Sequence, residues 1–125
     1  MFPDDMHFEL EQLDGESITV VHVHGILDRF SCPQLKERLA RAVESGGTEI
    51  IVDLTGVDSV DSSGLGVLVG TLKLARRAGG DLRLTGANHR LATTIERLSL
   101  DQLLRQHASV QDAVASFRAT PNSMN

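Results

Sequence analysis

Asp61-Ser62-Ser63-Gly64 places a carboxylate, two hydroxyls and a glycine in consecutive positions, after a β-branched run and before an apolar helical repeat. That order of residue types suits several chemistries. Backbone N–H groups freed at a helix start, with the positive end of the helix dipole, favour an anion there. Ser62 is then either a contact for a phosphate or its covalent carrier. A serine beside Asp61, with Asp28 and five histidines elsewhere in the chain, is also raw material for nucleophilic hydrolysis. Gly64, Gly66 and Gly70 raise the question of dinucleotide binding.

Most of these chemistries fail on spacing. The glycines follow two serines inside a helix instead of forming a tight loop directly off the strand, and the next strand ends Leu84-Thr85-Gly86 without the acidic residue that holds a ribose. No G-x-x-x-x-G-K-[ST] run and no G-x-S-x-G elbow occurs. Nothing in the sequence brings a histidine to Ser62. His22 and His24 share one strand face without a third ligand nearby, so they read as solvent-facing or hydrogen-bonded strand residues, and no Cys/His cluster has metal-ligand spacing. No catalytic residue and no cofactor is expected. Two readings stay open on the residues alone: a serine acted on by another protein, or a serine pair that only caps a helix.

The elements that position this corner follow from periodicity. Ile50 to Leu54 is a nearly continuous apolar run, expected to be a central strand that ends at Thr55-Gly56. Asp61 is expected to cap the next helix, whose Leu65, Leu68, Leu72 and Ala75 face a core, while Gly66, Gly70, Lys73 and Arg77 form another stripe. Glycine inside a helix costs up to about 1 kcal/mol relative to alanine, so Gly64, Gly66 and Gly70 imply close approach by another group, within the chain or from a partner. Upstream, Phe8 to Leu13 and Ser17 to His24 alternate as a hairpin around Asp14-Gly15, with Ile18, Val20, His22 and His24 on one face. Gly25 to Phe30 reads as a loop, and Ser31 with Gln34 as a capping box opening a helix with Leu35, Leu39, Ala42 and Val43 inside.

Downstream, Ala78-Gly79-Gly80 stops the helix and Asp81 to Gly86 forms a strand parallel to the central one. Asn88 caps a helix to Leu98 with Leu91, Thr94, Ile95 and Leu98 inward. Leu103-Leu104-Arg105 is a weak strand. Ser109 to Asp112 is a second capping-box pattern, opening a helix through Phe117 with Val110, Ala113, Val114 and Phe117 inward. The order β-β-α-β-α-β-α-(β)-α predicts a mixed, mainly parallel α/β sheet of four to five strands with about four helices packed against it.

The 125 residues, 41% hydrophobic but only 3% aromatic, suit one domain with an aliphatic core. Seventeen acidic against 12 basic residues leave a net charge of -5, which speaks against sequence-independent nucleic-acid binding and for a basic partner surface. Cys32 is the only cysteine, no signal-peptide pattern opens the chain, and no apolar run reaches a membrane span, so a reducing cytoplasmic setting without membrane contact is expected.

The run from Ile51 to Leu68, above all Asp61-Ser62-Ser63-Gly64-Leu65-Gly66, resembles the signature of STAS-domain anti-sigma factor antagonists. Gly25-Ile26-Leu27-Asp28, Gly79-Gly80 and Leu82-Arg83-Leu84 extend the resemblance over residues 8–117, leaving a short lead at 1–7 and a flexible tail at 118–125. The resemblance implies the STAS fold. It implies that Ser62 is a phosphoacceptor framed by Asp28, Asp61, Ser63 and Gly64, and that the neighbouring Leu65, Gly66, Gly70, Lys73 and Arg77 meet the partner. That partner would be an anti-sigma factor with serine kinase activity, which brings its own ATP and Mg; the sigma factor is affected indirectly, and a serine phosphatase restores the hydroxyl. The same fold also serves as a non-phosphorylated adaptor in transport or sensory complexes.

Overall fold

The computed structural model describes residues 6–13 and 17–119. The Asp14-Gly15 turn, the first five residues and the tail from Thr120 lie outside the described residues. The elements are β1 (Met6–Leu13), β2 (Ile18–Leu27), α1 (Cys32–Glu44), β3 (Glu49–Val60), α2 (Ser62–Arg77), β4 (Asp81–Thr85), α3 (His89–Arg97), β5 (Arg105–His107) and α4 (Val110–Ala119). The strands form a single five-stranded sheet in chain order; β1 is antiparallel to β2 and the remaining pairs are parallel. The expected mixed α/β architecture is therefore present.

Parallel neighbours need a crossover, and α1, α2 and α3 supply the three. All three pack on one face of the sheet, where Leu35, Leu39, Leu68, Leu72 and Ile95 meet Val21, Val23, Val52, Leu54 and Leu84 in the larger core. The helix α4 covers the other face, with Ala113, Val114 and Phe117 against Ile18, Val20 and Ile51. The start of β2 and the start of β3 are thus buried on both sides, as the near-continuous apolar runs require. Fully burying each such aliphatic side chain contributes about 1.5–3 kcal/mol.

Element boundaries depart from the sequence reading where long-range pairing overrides local turn signals. β3 does not end at Thr55-Gly56 but runs on to Val60, and β2 continues through Gly25 to Leu27 where a loop was expected. Between the pairs His22–Asp53 and Leu27–Val60, β3 spends two more residues than β2, one at each of two register shifts. The turn chemistry at Asp53-Leu54-Thr55 is real, since the Asp53 carboxylate accepts from the Thr55 N–H at 3.0 Å and from its hydroxyl. The sheet absorbs it as a bulge. Gly56 then passes under His24 so closely that a Cβ would fall 2.2 Å from Nδ1 of that ring.

Smaller corrections have local causes. Ser31 makes no capping box: its hydroxyl donates to the Ile26 carbonyl at 2.8 Å, so the end of β2 claims the group the helix would have used. Leu98 ends α3 and is 55% exposed instead of inward. The last strand lies at Arg105–His107, with Leu104 buried ahead of it, and α4 continues two residues past Phe117 to Ala119. His7 already belongs to β1, where its ring stacks on His24 with centroids 4.7 Å apart.

Candidate functional site

Because β2, β3 and β4 are parallel and each leads into a helix, the β2–α1 loop, the β3–α2 corner and the start of α3 lie at one end of the sheet, beyond the C-terminal ends of these strands. Hydrogen bonds knit the three together. The Asp61 N–H donates to the Leu27 carbonyl at 3.0 Å, and the Asn88 side-chain amide donates to the Asp58 carbonyl at 3.3 Å.

At the corner, Asp61 caps α2 as its position predicts: one carboxylate oxygen accepts from the Ser63 N–H at 2.8 Å and the Gly64 N–H at 3.1 Å. This corrects the reading of the corner as a ready anion seat, since a carboxylate already holds two of the donors that such an anion would use. Ser62 stands outside that arrangement. It is the first residue of α2, it is exposed, and its hydroxyl has no hydrogen-bond partner among the described residues. Ser63 is half-buried and Gly64 is buried.

Gly64 accounts for the tight fit of this corner. A Cβ there would lie 2.6 Å from Val60 Cγ1, 3.0 Å from Leu27 Cβ and 3.1 Å from the Leu27 carbonyl. The close approach inferred for three glycines is intramolecular at Gly64 only, because nothing lies within 4 Å of a Cβ at Gly66 or Gly70. Those two are exposed, as are Lys73 and Arg77 on the same stripe. Leu65 does not join them: at 6% exposure it packs in the core, since its helical phase follows Leu68 and Leu72 and not Gly66. It is removed from the set of surface contacts.

Asp28 lies in the adjoining loop, where its carboxylate accepts from the N–H groups of Phe30 and Ser31 at 2.9 and 3.0 Å. It thereby shapes the loop that the corner leans on. Cys32 lies close to both acids: burial, then the Asp61 and Asp28 charges, push its thiol above the ordinary range. At 4% exposure it is a core residue under the loop.

One surface residue was not singled out from the sequence. Phe30 is 77% exposed at the tip of this loop, with the Arg29 guanidinium 4.9 Å from its ring centre. With Ile26, 40% exposed, it places apolar surface beside the serine corner in a chain that is poor in aromatics. A lone aromatic in a loop carries no periodicity, so only its exposure reveals it.

The histidine pair divides. His22 Nδ1 and the Asp53 carboxylate share a hydrogen bond of 2.8 Å, and Nε2 faces Glu11 at 3.2 Å, while His24 remains exposed. No cluster of three or more potential metal ligands occurs among the described residues, and no helix among them is long and apolar enough to cross a membrane.

Against known proteins, a family model described as the STAS domain matches residues 7–113. The Bacillus subtilis anti-sigma-B factor antagonist is 30% identical over 109 residues, 87% of this chain and 99% of that protein. Among solved structures, an anti-sigma factor antagonist from Mycobacterium paratuberculosis superposes with a TM-score of 0.82 at 24% identity, covering 94% of this chain and 97% of that one. The anti-sigma factor antagonist SpoIIAA in its unphosphorylated form gives 0.78 at 23% identity over 91% and 98% of the two chains. Its phosphorylated form, from Bacillus, gives 0.70 at 22% identity over 88% and 98%.

Proposed function

The chain belongs to the STAS-domain family, and on that premise we propose that it is an anti-sigma factor antagonist switched by phosphorylation of Ser62. The unphosphorylated protein binds an anti-sigma factor, which releases its sigma factor. That anti-sigma factor is also the kinase: the Ser62 hydroxyl attacks the γ-phosphorus of its ATP, the new O–P bond forms as the bond to ADP breaks, and the hydroxyl proton passes to the kinase. A serine phosphatase returns the hydroxyl by hydrolysis. The chain is a substrate and a regulator in the cytoplasm, with no catalytic group of its own.

The observation that carries this reading is the placement of Ser62, exposed and without a hydrogen-bond partner among the described residues, at the head of a helix whose cap is supplied by its neighbour Asp61. A serine needed for capping would have its hydroxyl engaged; this hydroxyl is free to react. Phosphorylation adds about -1.5 to -2 charge beside Asp61, next to the loop that carries Asp28 and Phe30. A loss of about 3 kcal/mol in partner binding corresponds to roughly a hundredfold in affinity, enough to exchange partners at fixed concentrations.

The test is intact-mass spectrometry after incubation with ATP and each anti-sigma factor of the serine-kinase type from the same genome. One added phosphate on wild type and Ser63→Ala, but none on Ser62→Ala, is the expected result. Absence of modification by every candidate, with a stable complex formed equally by wild type and Ser62→Ala, would establish a constitutive binding module instead.

A further inference from the structure

Between α1 and α2 runs an open groove of about 500 Å³ that begins at Ser63 and leads away from the serine corner. Its apolar lining comes from Ala40, Val67 and Leu74, and its charged lining from Lys36 on α1 and Lys73 and Arg77 on α2. The cations are the informative part. Elsewhere on these helices Arg41 pairs with Glu37 at 2.9 Å and Arg76 with Asp81 at 3.0 Å, while Arg38 lies over the Phe8 ring at 5.2 Å. Lys36, Lys73 and Arg77 have no carboxylate partner among the described residues, and no acidic residue lines the groove, although the chain as a whole carries a charge of -5.

Shape agrees with charge. Gly66 and Gly70 leave the α2 side low, with open space where side chains would stand. Lys73 and Arg77 are one turn apart, about 6 Å along the axis, and Lys36 lines the same groove from the first turns of α1. The complementary object is a helix with an apolar stripe at i, i+3 and i+4 and carboxylates on its flanks, some repeating at four-residue spacing.

We infer that this groove receives an acidic amphipathic helix of the anti-sigma factor, forming a second contact beside the serine corner; the inference rests on the partner assigned above. Long-range attraction between this cationic strip and the acidic helix aligns the partner before Ser62 is engaged.

The experiment uses the kinase identified by the mass assay, held in ADP, and measures its affinity for the full chain by calorimetry at several salt concentrations. The Lys73→Glu/Arg77→Glu double variant is expected to bind about tenfold more weakly or worse, with a flatter salt dependence. Gly70→Leu, which fills the groove, is expected to do the same without charge change, while Arg97→Glu, an exposed cation outside the groove, stays within about twofold. Hydrogen exchange in the wild-type complex should show protection of residues 36–40 and 70–77.

Groove variants that bind as tightly as wild type while Ser62 is still phosphorylated, or protection confined to residues 26–31 and 61–66, would overturn the inference and leave the functional reading standing. Absence of any wild-type complex would overturn both. Self-association of the chain that disappears in the double variant would assign the groove to a second copy and likewise overturn it.

Discussion

The backbone N–H of Asp61 donates to the carbonyl of Leu27 at 3.0 Å, fastening the last residue before α2 to the last residue of β2. This bond ties the serine corner to the loop carrying Asp28 and Phe30, so two segments more than thirty residues apart present one continuous surface. Because the bond is made between backbone groups and buried Gly64 packs over it, the geometry of Ser62 is set by the joined ends of β2 and β3, not by the serine itself.

The Asp61 carboxylate holds the Ser63 and Gly64 N–H groups. Asp61→Ala is therefore expected to lower stability by about 1 kcal/mol, within the range of about 0.5–2 for lost caps, while Asp61→Ser retains most of it. Urea denaturation with an unchanged slope checks this. An Asp61→Ala protein as stable as wild type would show that the cap contributes nothing.

Two helical glycines in α2 should respond in opposite ways to the same substitution. Gly70→Ala meets open space and should stabilise by up to about 1 kcal/mol. Gly64→Ala puts a methyl group 2.6 Å from Val60 Cγ1 and 3.0 Å from Leu27 Cβ, and should destabilise by about 1–3 kcal/mol through overpacking. Thermal or urea unfolding of the pair is decisive; equal shifts of the same sign would contradict the packing described.

The bond between His22 and Asp53 makes stability depend on pH at both ends. Burial pushes the His22 pKa down, but hydrogen bonds with Asp53 and then Glu11 more than reverse this, leaving it above its ordinary value of 6.5. Its contribution is fully present below about 6.5 and is lost as pH rises through the raised value of the folded protein. Burial pushes Asp53 up, but its two Thr55 hydrogen bonds and then His22 bring it below its ordinary 3.8. Its contribution is present above that ordinary value and is lost as pH falls through the lowered one. His22→Gln should accordingly cost more stability at about pH 5.5 than at about pH 8.5, measured as the difference in denaturation midpoint from wild type at each pH. An equal cost at both would show that charge on His22 plays no part.

Phe30, at 77% exposure, has little folded-state packing to lose. Phe30→Ala should change stability by no more than about 0.5 kcal/mol but weaken binding of the anti-sigma factor about tenfold, as expected of an aromatic anchor. Calorimetric titration beside a melting curve separates the two effects. Unchanged affinity would remove Phe30 from the contact surface.

The sequence by itself was sufficient for most of what is encoded within one turn of helix or two strand residues. The Leu65, Leu68, Leu72, Ala75 stripe, the Asp61 and Asn88 caps and the glycine stops could be read directly, because a helix repeats at 3.6 residues and its first N–H groups need an acceptor close in sequence. The Asp-Ser-Ser-Gly run likewise marked the corner and its exposed serine. Tertiary structure decided what depends on partners distant along the chain. Pairing with β2 carried β3 past its expected end at Thr55-Gly56, because continuing the ladder satisfies backbone groups that a chain turning away would leave unpaired. Contact with Leu27 distinguished Gly64 from Gly66 and Gly70, which are identical as residues and differ only in what faces them. The Ile26 carbonyl took the Ser31 hydroxyl from its helix, and the crossing of α1 over α2 gathered Lys36, Lys73 and Arg77 into one groove. Periodicity reports which way a side chain points; only the folded chain determines what it meets there.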